Sequence, residues 1–242
     1  MKNRSLRHLF MPLKNTPFHP QWLVFRNHKQ NLAEIGAKVG KDILDIGSGR
    51  QTIRRYLLND CRYLSLDYYQ TSTNWYQVQP DVYGDGQRLP FSSGSFDTVL
   101  LLDVLEHLPY PDYCLHEVHR VLRPGGSLII QVPFLYPLHD EPFDFQRWTI
   151  YGLRTAARRH NFTVEEEVVF GTSLETAALL SNLALSKTVL SSLQQRHPLA
   201  ILTLILPGFI LCTNLAGWLF SHFGISKNFM PQEYRMIWKK ES

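Results

Sequence analysis

Four residues, Asp45, Gly47, Gly49 and Asp67, carry the spacing of a small-ligand pocket, and His107, His139 and Asp144 lie where such a pocket would need a proton acceptor. In KDILDIGSGR (41–50), the apolar Ile43, Leu44 and Ile46 run straight into Gly47-Ser48-Gly49. Glycines there let a ligand approach the backbone where any side chain would block it, and a helix starting after them offers free N–H groups to an anion. Asp67 follows about 20 residues later, where a carboxylate at the tip of a second strand can take two ribose hydroxyls. The plainer reading is a surface aspartate opening a loop. A dinucleotide site favours Gly-x-Gly-x-x-Gly to admit its pyrophosphate, but the third position here is Thr52, which points to a ligand without phosphate.

His107 follows the apolar run 96–102, and the segment PFLYPLHDEPFDFQRW (133–148) crowds His139, Asp140, Glu141, Asp144 and Arg147 into a proline- and aromatic-rich loop. A positioned base contributes roughly 10²–10⁴-fold to transfer onto a hydroxyl or amine. His139 is the first candidate, with His107 and Asp144 beside it; the plainer readings are a helix-start histidine and a solvated acidic turn. Metal ligation within the His139–Asp144 stretch is poorly spaced, so no metal site is read.

The elements that would position these residues follow in order. Short strands are expected at 43–46, 61–66, 77–83, 96–102 and 127–132, with helices at 31–39, 51–59, 113–122 and 153–160, and a turn at Arg123-Pro124-Gly125-Gly126. A sixth strand is expected at 162–170 and a last, antiparallel one at 233–238. Alternating strands and helices of this length make a doubly wound, mostly parallel α/β sheet of seven strands. Open sheets of that kind hold ligands at the C-terminal ends of their strands.

At 242 residues, 44% hydrophobic and 19% charged, the chain reads as one domain with an elaboration. Its net charge of +4 is too small to argue for nucleic acid. Three cysteines without metal-type spacing suggest a reducing compartment, and the basic N-terminal residues lack the apolar core of a signal peptide. The expectation is a cytoplasmic protein, with a peripheral or monotopic seat on a membrane as the alternative. The organisation expected is an arm at 1–30, serving as strap or flap, a main domain at 31–170 and 231–242, and a hydrophobic helical insertion at 171–230.

Taken together, DILDIGSG, the acidic end of strand two, GDGQRLPFSSGSFDTVLLLDVLEHL and VLRPGGSLII resemble the class I S-adenosylmethionine-dependent methyltransferases, over about residues 40–170 plus the final strand. The resemblance implies a Rossmann-like fold, S-adenosyl-L-methionine as cofactor and a small-molecule acceptor. It implies that Asp45, Gly47 and Gly49 hold the methionine part, that Asp67 takes the ribose hydroxyls, and that Asp85 with the backbone of Gly86 meets the adenine. Asp103 would line the methyl-donor pocket, and Glu106-His107 matches a frequent pair. Where the family often has a third glycine, this chain has Gln51. The segment from Pro133 also looks like a subgroup found with polysaccharide and cell-envelope enzymes. A non-catalytic cofactor-binding scaffold and a nicotinamide-dependent oxidoreductase are the alternatives from other classes; the retained acids argue against the first and the glycine spacing against the second.

Residues 199–220 (LAILTLILPGFILCTNLAGWLF) contain no charge and are long enough on paper to span a bilayer. A single span would leave the last strand across the membrane from its sheet, so a break at Pro207-Gly208 into two shorter helices is expected. These would make a re-entrant or interfacial hairpin, with Lys187, Arg196, His197, His222 and Lys227 near its ends to meet headgroups, or else a buried lid or dimer interface. With membrane contact, the acceptor would be lipid-linked or lipophilic.

Overall fold

The computed structural model describes residues 11–223 and 229–241. They form two compact units: Gln30–Phe134 with Leu138–Phe170 and Glu233–Ser242, and Met1–Lys29 with Leu135–Pro137 and Gly171–Gln232.

The first unit is built on one seven-stranded sheet in the order β3-β2-β1-β4-β5-β7-β6. Its strands are β1 (Asp42–Ile46), β2 (Arg62–Asp67), β3 (Val82–Tyr83), β4 (Phe96–Leu102), β5 (Leu122–Pro133), β6 (Phe162–Phe170) and β7 (Glu233–Lys240). Only β7 runs antiparallel to its neighbours. The central strands are apolar on both faces, as a parallel sheet covered on both sides requires. Leu44, Ile46, Val99, Leu101, Leu128 and Ile130 pack under Leu115 and Val118 of one helix (Pro111–Val121) and Leu153 and Ala156 of another (Ile150–Arg159). On the opposite face Ile43, Leu100, Ile129 and Ile237 meet Leu32 and Ile35 of the helix His28–Gly36. In order, the longer helices are α1 (His28–Gly36), α2 (Pro111–Val121), α3 (Ile150–Arg159), α4 (Ser173–Gln195) and α5 (Leu206–Ser221). The doubly wound sheet expected from the sequence is therefore present, with its strand tips at the end where the site residues lie.

Four local expectations need correcting. The helix expected over 51–59 is a 3₁₀ turn, Thr52–Tyr56, entered through a left-handed Gln51 (φ 52°) and left through an extended Leu57. The strand expected over 77–83 shrinks to Val82–Tyr83, because Ser72–Tyr76 coils into a π-type turn that ends on a left-handed Gln77. The Arg123–Gly126 turn lies inside β5: Leu122 pairs with Phe96 and Ser127 with Thr98, so the intervening residues bulge out of register. Finally, Pro207 does not break a helix but starts one. The bend falls at Ile205, and Pro207 occupies the first turn of α5, where its missing N–H costs nothing.

In the second unit α4 begins with a capping box, Thr172 and Glu175 each accepting the other's backbone N–H. Val189 of α4 packs with Leu206 and Ile210 of α5. The two helices also share a buried polar pair, Asn182 donating to Asn214 Oδ1 at 3.0 Å. Asn214 in turn donates to the carbonyls of Pro17 and His19 at 2.7 and 3.0 Å, fixing the described part of the N-terminal arm on α5. Residues 1–10 of that arm, and Lys227, lie outside the described residues. No single helix among the described residues is long and apolar enough to cross a membrane; the helices Pro198–Leu204 and Leu206–Ser221 pass that test only as a pair bent by 56°.

Candidate active site

The glycine loop closes over the tips of β1 and β2. The Gly47 and Ser48 N–H groups donate to Leu66 O at 2.8 and 3.2 Å, and the Gly49 N–H donates to Asp67 Oδ2 at 2.8 Å. These donors serve the loop itself, and no regular helix follows to present others, so the free N–H groups anticipated for an anion are not the loop's main feature. Gly47 is left-handed (φ +68°), and a Cβ there would stand 2.5 Å from Val104 Cγ2, so nothing larger than glycine fits. Gln51 adopts the conformation a glycine would favour and anchors it by donating from Nε2 to Gln79 O at 3.0 Å.

Asp45 and Asp67 lie one strand apart on these tips, both buried. Asp45 accepts a hydrogen bond from the Tyr63 hydroxyl. Burial nevertheless pushes its carboxyl up to about 7, with the charge of Asp67 adding to the effect and Tyr63 opposing it. Asp67 also accepts from the Tyr68 N–H and the Thr71 hydroxyl, both at 2.7 Å. A carboxylate offers about four lone-pair sites, so with three donors bound it retains room for one more. Asp85 follows β3 and accepts from the Gln87 N–H at 2.9 Å. Gly86 is buried, and a Cβ on it would meet Ile46 Cγ2 at 2.9 Å and Cys114 Sγ at 3.6 Å, which places this pair at the tip of β1 too. Asp103 ends β4 in a left-handed conformation (φ 57°), its N–H donating to Gln131 O at 2.9 Å. The residue remains exposed to solvent. Desolvation holds Asp103, Glu106 and Glu233 above the usual carboxylate range, and the charge of Asp103 raises the other two further.

Three residues beyond Asp103, Glu106 is 0% exposed, and among the described residues neither of its carboxylate oxygens has a hydrogen-bond partner. The loop carrying His139 is fastened directly above it. Phe145 N–H donates to Glu106 O at 3.0 Å, and Gln146 Nε2 donates to Leu105 O and Leu108 O at 3.1 Å. The rings of His107 and His139 then meet edge to face, with centroids 4.9 Å apart. Their Nε2 atoms stand 3.7 and 3.9 Å from Glu106 Oε1. Asp144 Oδ2 lies 3.2 Å from His139 Nδ1 and accepts from the His139 N–H at 2.9 Å. Burial alone would raise the Asp144 carboxyl, but the Arg147 guanidinium, gripping both oxygens, and the His139 N–H hold it down at about 2. The structure thus brings His107, His139 and Asp144 together. It adds three features not singled out in the sequence: the burial of Glu106, Arg147 as the partner of Asp144, and the Tyr76 ring, which lies 3.5 Å from where a Gly49 Cβ would be. The signal for Tyr76 was an aromatic pair, Trp75-Tyr76, in an otherwise polar loop.

Buried, unpartnered polar atoms mark where a ligand would supply the missing bonds. The Ser48 hydroxyl is one such atom among the described residues, between two left-handed glycines, the second of which donates its N–H to Asp67. This donor and acceptor set fits an ammonium, a ribose and an adenine rather than a pyrophosphate.

Comparison with known proteins agrees. Residues 44–130 match the family described as "Methyltransferase domain". Demethylmenaquinone methyltransferase of Streptomyces griseus is 30% identical over 103 residues, 40% of this chain and 45% of that protein. Fatty-acid O-methyltransferase of Mycolicibacterium smegmatis is 34% identical over 118 residues, 45% of this chain and 41% of that protein. The chain therefore spans less than half the length of these curated relatives. Among solved structures, the [4+2]-cyclase SpnF superposes with a TM-score of 0.56 at 15% identity, covering 90% of this chain and 82% of that one. An S-adenosylmethionine-dependent methyltransferase from Mesorhizobium loti gives 0.53 at 15% identity, covering 91% and 98%. The chain carries a class I S-adenosylmethionine-dependent methyltransferase domain, and S-adenosylmethionine is the cofactor of that domain.

Proposed function

We propose that this protein transfers the methyl group of S-adenosylmethionine to a hydroxyl or amine of a small or lipid-linked acceptor, at a membrane surface. The carrying observation is one continuous junction. Gly47 of the cofactor loop packs on Val104, and two residues later Glu106 lies beneath His107 and His139. Asp45, Gly47 and Gly49 are assigned to the methionine end, Asp67 to the ribose, Asp85 and Gly86 to the adenine, and Asp103 to the methyl-donor pocket. When bound, the cofactor supplies an already activated methyl group on its sulfonium. The chain has then to align the acceptor, exclude water and take a proton. His139 Nε2 would take the proton of the acceptor's hydroxyl or amine. Asp144, kept ionised by Arg147, stabilises the resulting imidazolium, and His107 borders the same space.

The membrane part rests on the second unit. Ile201, Leu204, Ile205, Leu219 and Phe220 are more than half or about half exposed on consecutive helices, with Lys187, Arg196, His197 and His222 near the ends. That pairing of apolar surface with flanking Lys187 and Arg196 suits an interfacial seat on anionic lipid. The lipid-type acceptors named for two relatives, a menaquinone precursor and a fatty acid, support the same reading.

Calorimetry with S-adenosylmethionine, then transfer of a labelled methyl group into a lipid extract, tests the reading. His139→Ala should bind cofactor within about twofold of wild type and lose roughly 10²–10⁴-fold in transfer rate. An unchanged rate would remove His139 from the reaction, and no cofactor binding would remove the reaction. Flotation with anionic liposomes should fall when Leu204 and Phe220 are both changed to Asp; equal flotation would end the membrane assignment.

A further inference from the structure

The reading above leaves Glu106 unexplained. A carboxyl group with no exposed surface and no hydrogen-bond partner among the described residues is costly in either protonation state, and proteins keep such groups where something pairs with them. The groups aimed at it are two imidazoles. His107 Nδ1 lies 2.7 Å from the carbonyl of Phe143, which can only accept, so the proton sits on Nδ1 and Nε2 presents a lone pair. His139 Nδ1 faces the Asp144 carboxylate at 3.2 Å, the contact that would place the proton on Nδ1, although the donor Arg147 Nη2 stands 3.4 Å from the same nitrogen; His139 Nε2 lies 3.9 Å from Glu106 Oε1. Histidines whose outer nitrogen is held by a carboxylate or a backbone carbonyl are the usual dress of a metal ligand.

We propose that Glu106, His107 and His139 bind a first-row divalent cation of the zinc class, with remaining positions open to the acceptor. One ligand atom from each lies within 4.8 Å of the other two. Bonds of about 2.1 Å require neighbouring ligands roughly 3.0–3.5 Å apart. The two edges to Glu106 Oε1, 3.7 and 3.9 Å, lie a few tenths of an ångström beyond that range, and the edge between the histidines, within 4.8 Å, must close as well. Two histidines and a glutamate with an open position form a set that zinc uses catalytically. The inference rests on the reading of this cluster as the acceptor's end and changes one part of it. With the cation in place, the histidines would act as ligands, and the cation would lower the pKa of a bound acceptor hydroxyl so that its proton passes to water instead of to His139.

The test uses the full-length, untagged chain, freed of metal by chelation and dialysis. Titration with Co²⁺, followed by its visible d–d absorption and then by displacement with Zn²⁺ in a calorimeter, should show one cation per chain. Glu106→Gln and His107→Ala should each lose at least about tenfold in affinity, and Asp144→Asn, which only orients His139, about 10–100-fold. The exposed His116→Ala should change nothing. Cofactor calorimetry and circular dichroism on each variant separate a lost site from a lost fold. Cofactor binding without stoichiometric cation uptake, or uptake indifferent to Glu106→Gln and His107→Ala, overturns this inference and leaves the methyltransferase reading standing. Absence of cofactor binding in the wild type overturns that reading instead.

Discussion

The two units are unbalanced in opposite senses. In the sheet unit the surplus is polar and internal: Asp45, Asp67 and Glu106 are buried at the strand tips, and the Glu106 oxygens and the Ser48 hydroxyl have no partners among the described residues. In the helical unit the buried asparagines satisfy one another and two carbonyls, a few single atoms such as Ser186 Oγ stay unpartnered among the described residues, and the larger surplus is apolar and external, from Ile201 to Phe223. A polar surplus inside calls for a ligand, and an apolar surplus outside calls for a surface. Each unit's departure from ordinary packing points to its own kind of partner.

The comparison can be broken most severely at Gly47. Gly47→Ala combines a left-handed backbone with a clash against Val104, and should cost the sheet unit roughly 2–6 kcal/mol and abolish cofactor binding. Thermal unfolding and calorimetry would read both. Amide exchange of α5 should stay near wild type if the damage is confined to the sheet unit.

Acidity should pull the units apart. Asp45 titrates near 7 in the fold against 3.8 in its absence, because burial disfavours the anion. Its contribution is therefore present below pH 4 and lost as pH rises toward 7, by roughly 2–4 kcal/mol in the cofactor-free protein. His19 is the mirror case: burial, then the charge of Lys14, lower it from 6.5 to about 4, so its contribution is present above 6.5 and lost as pH falls toward 4. Screening at this partly wet site brings that loss to about 1–2 kcal/mol. Amide exchange measured at pH 4.5 and 6.5, with intrinsic rates divided out, should show β1 less protected and the Ile210–Asn214 amides more protected at the higher pH. The same direction in both would dissolve the contrast.

Asn214→Ala removes the donor shared by Pro17 O and His19 O and the acceptor of Asn182, and should destabilise the helical unit by about 2–3 kcal/mol in a denaturant titration. The smallest effect belongs to Gln51→Gly, which relieves a left-handed side chain at the expense of backbone entropy. A stabilisation of no more than about 1 kcal/mol is expected, with cofactor affinity unchanged.

Most of the fold was legible because its signals are local. DILDI is apolar on alternate faces and then meets glycines, and FDTVLLL and SLIIQV are too apolar to lie anywhere but the middle of a sheet. The misreadings share a cause of another kind. Gln51 and Gln77 sit left-handed where their residue type argues against it, and their loops hold them there by contacts that sequence spacing does not reveal. The break into two shorter helices expected at Pro207-Gly208 is present two residues earlier, at Ile205, because proline begins a helix as readily as it ends one. At the site, the Glu106-His107 pair and the His139 loop were each visible. Their convergence was not, because it depends on Phe145 and Gln146 docking on backbone carbonyls more than thirty residues upstream.

Phe170 and Glu233, between which the chain leaves and re-enters the sheet, are paired neighbours on β6 and β7. A two-residue reverse turn would close that gap without moving a strand. The pairing of β6 with β7 therefore sets no length for the stretch between them, and descendants of such a sheet could lengthen or shorten it while the strand order was inherited intact.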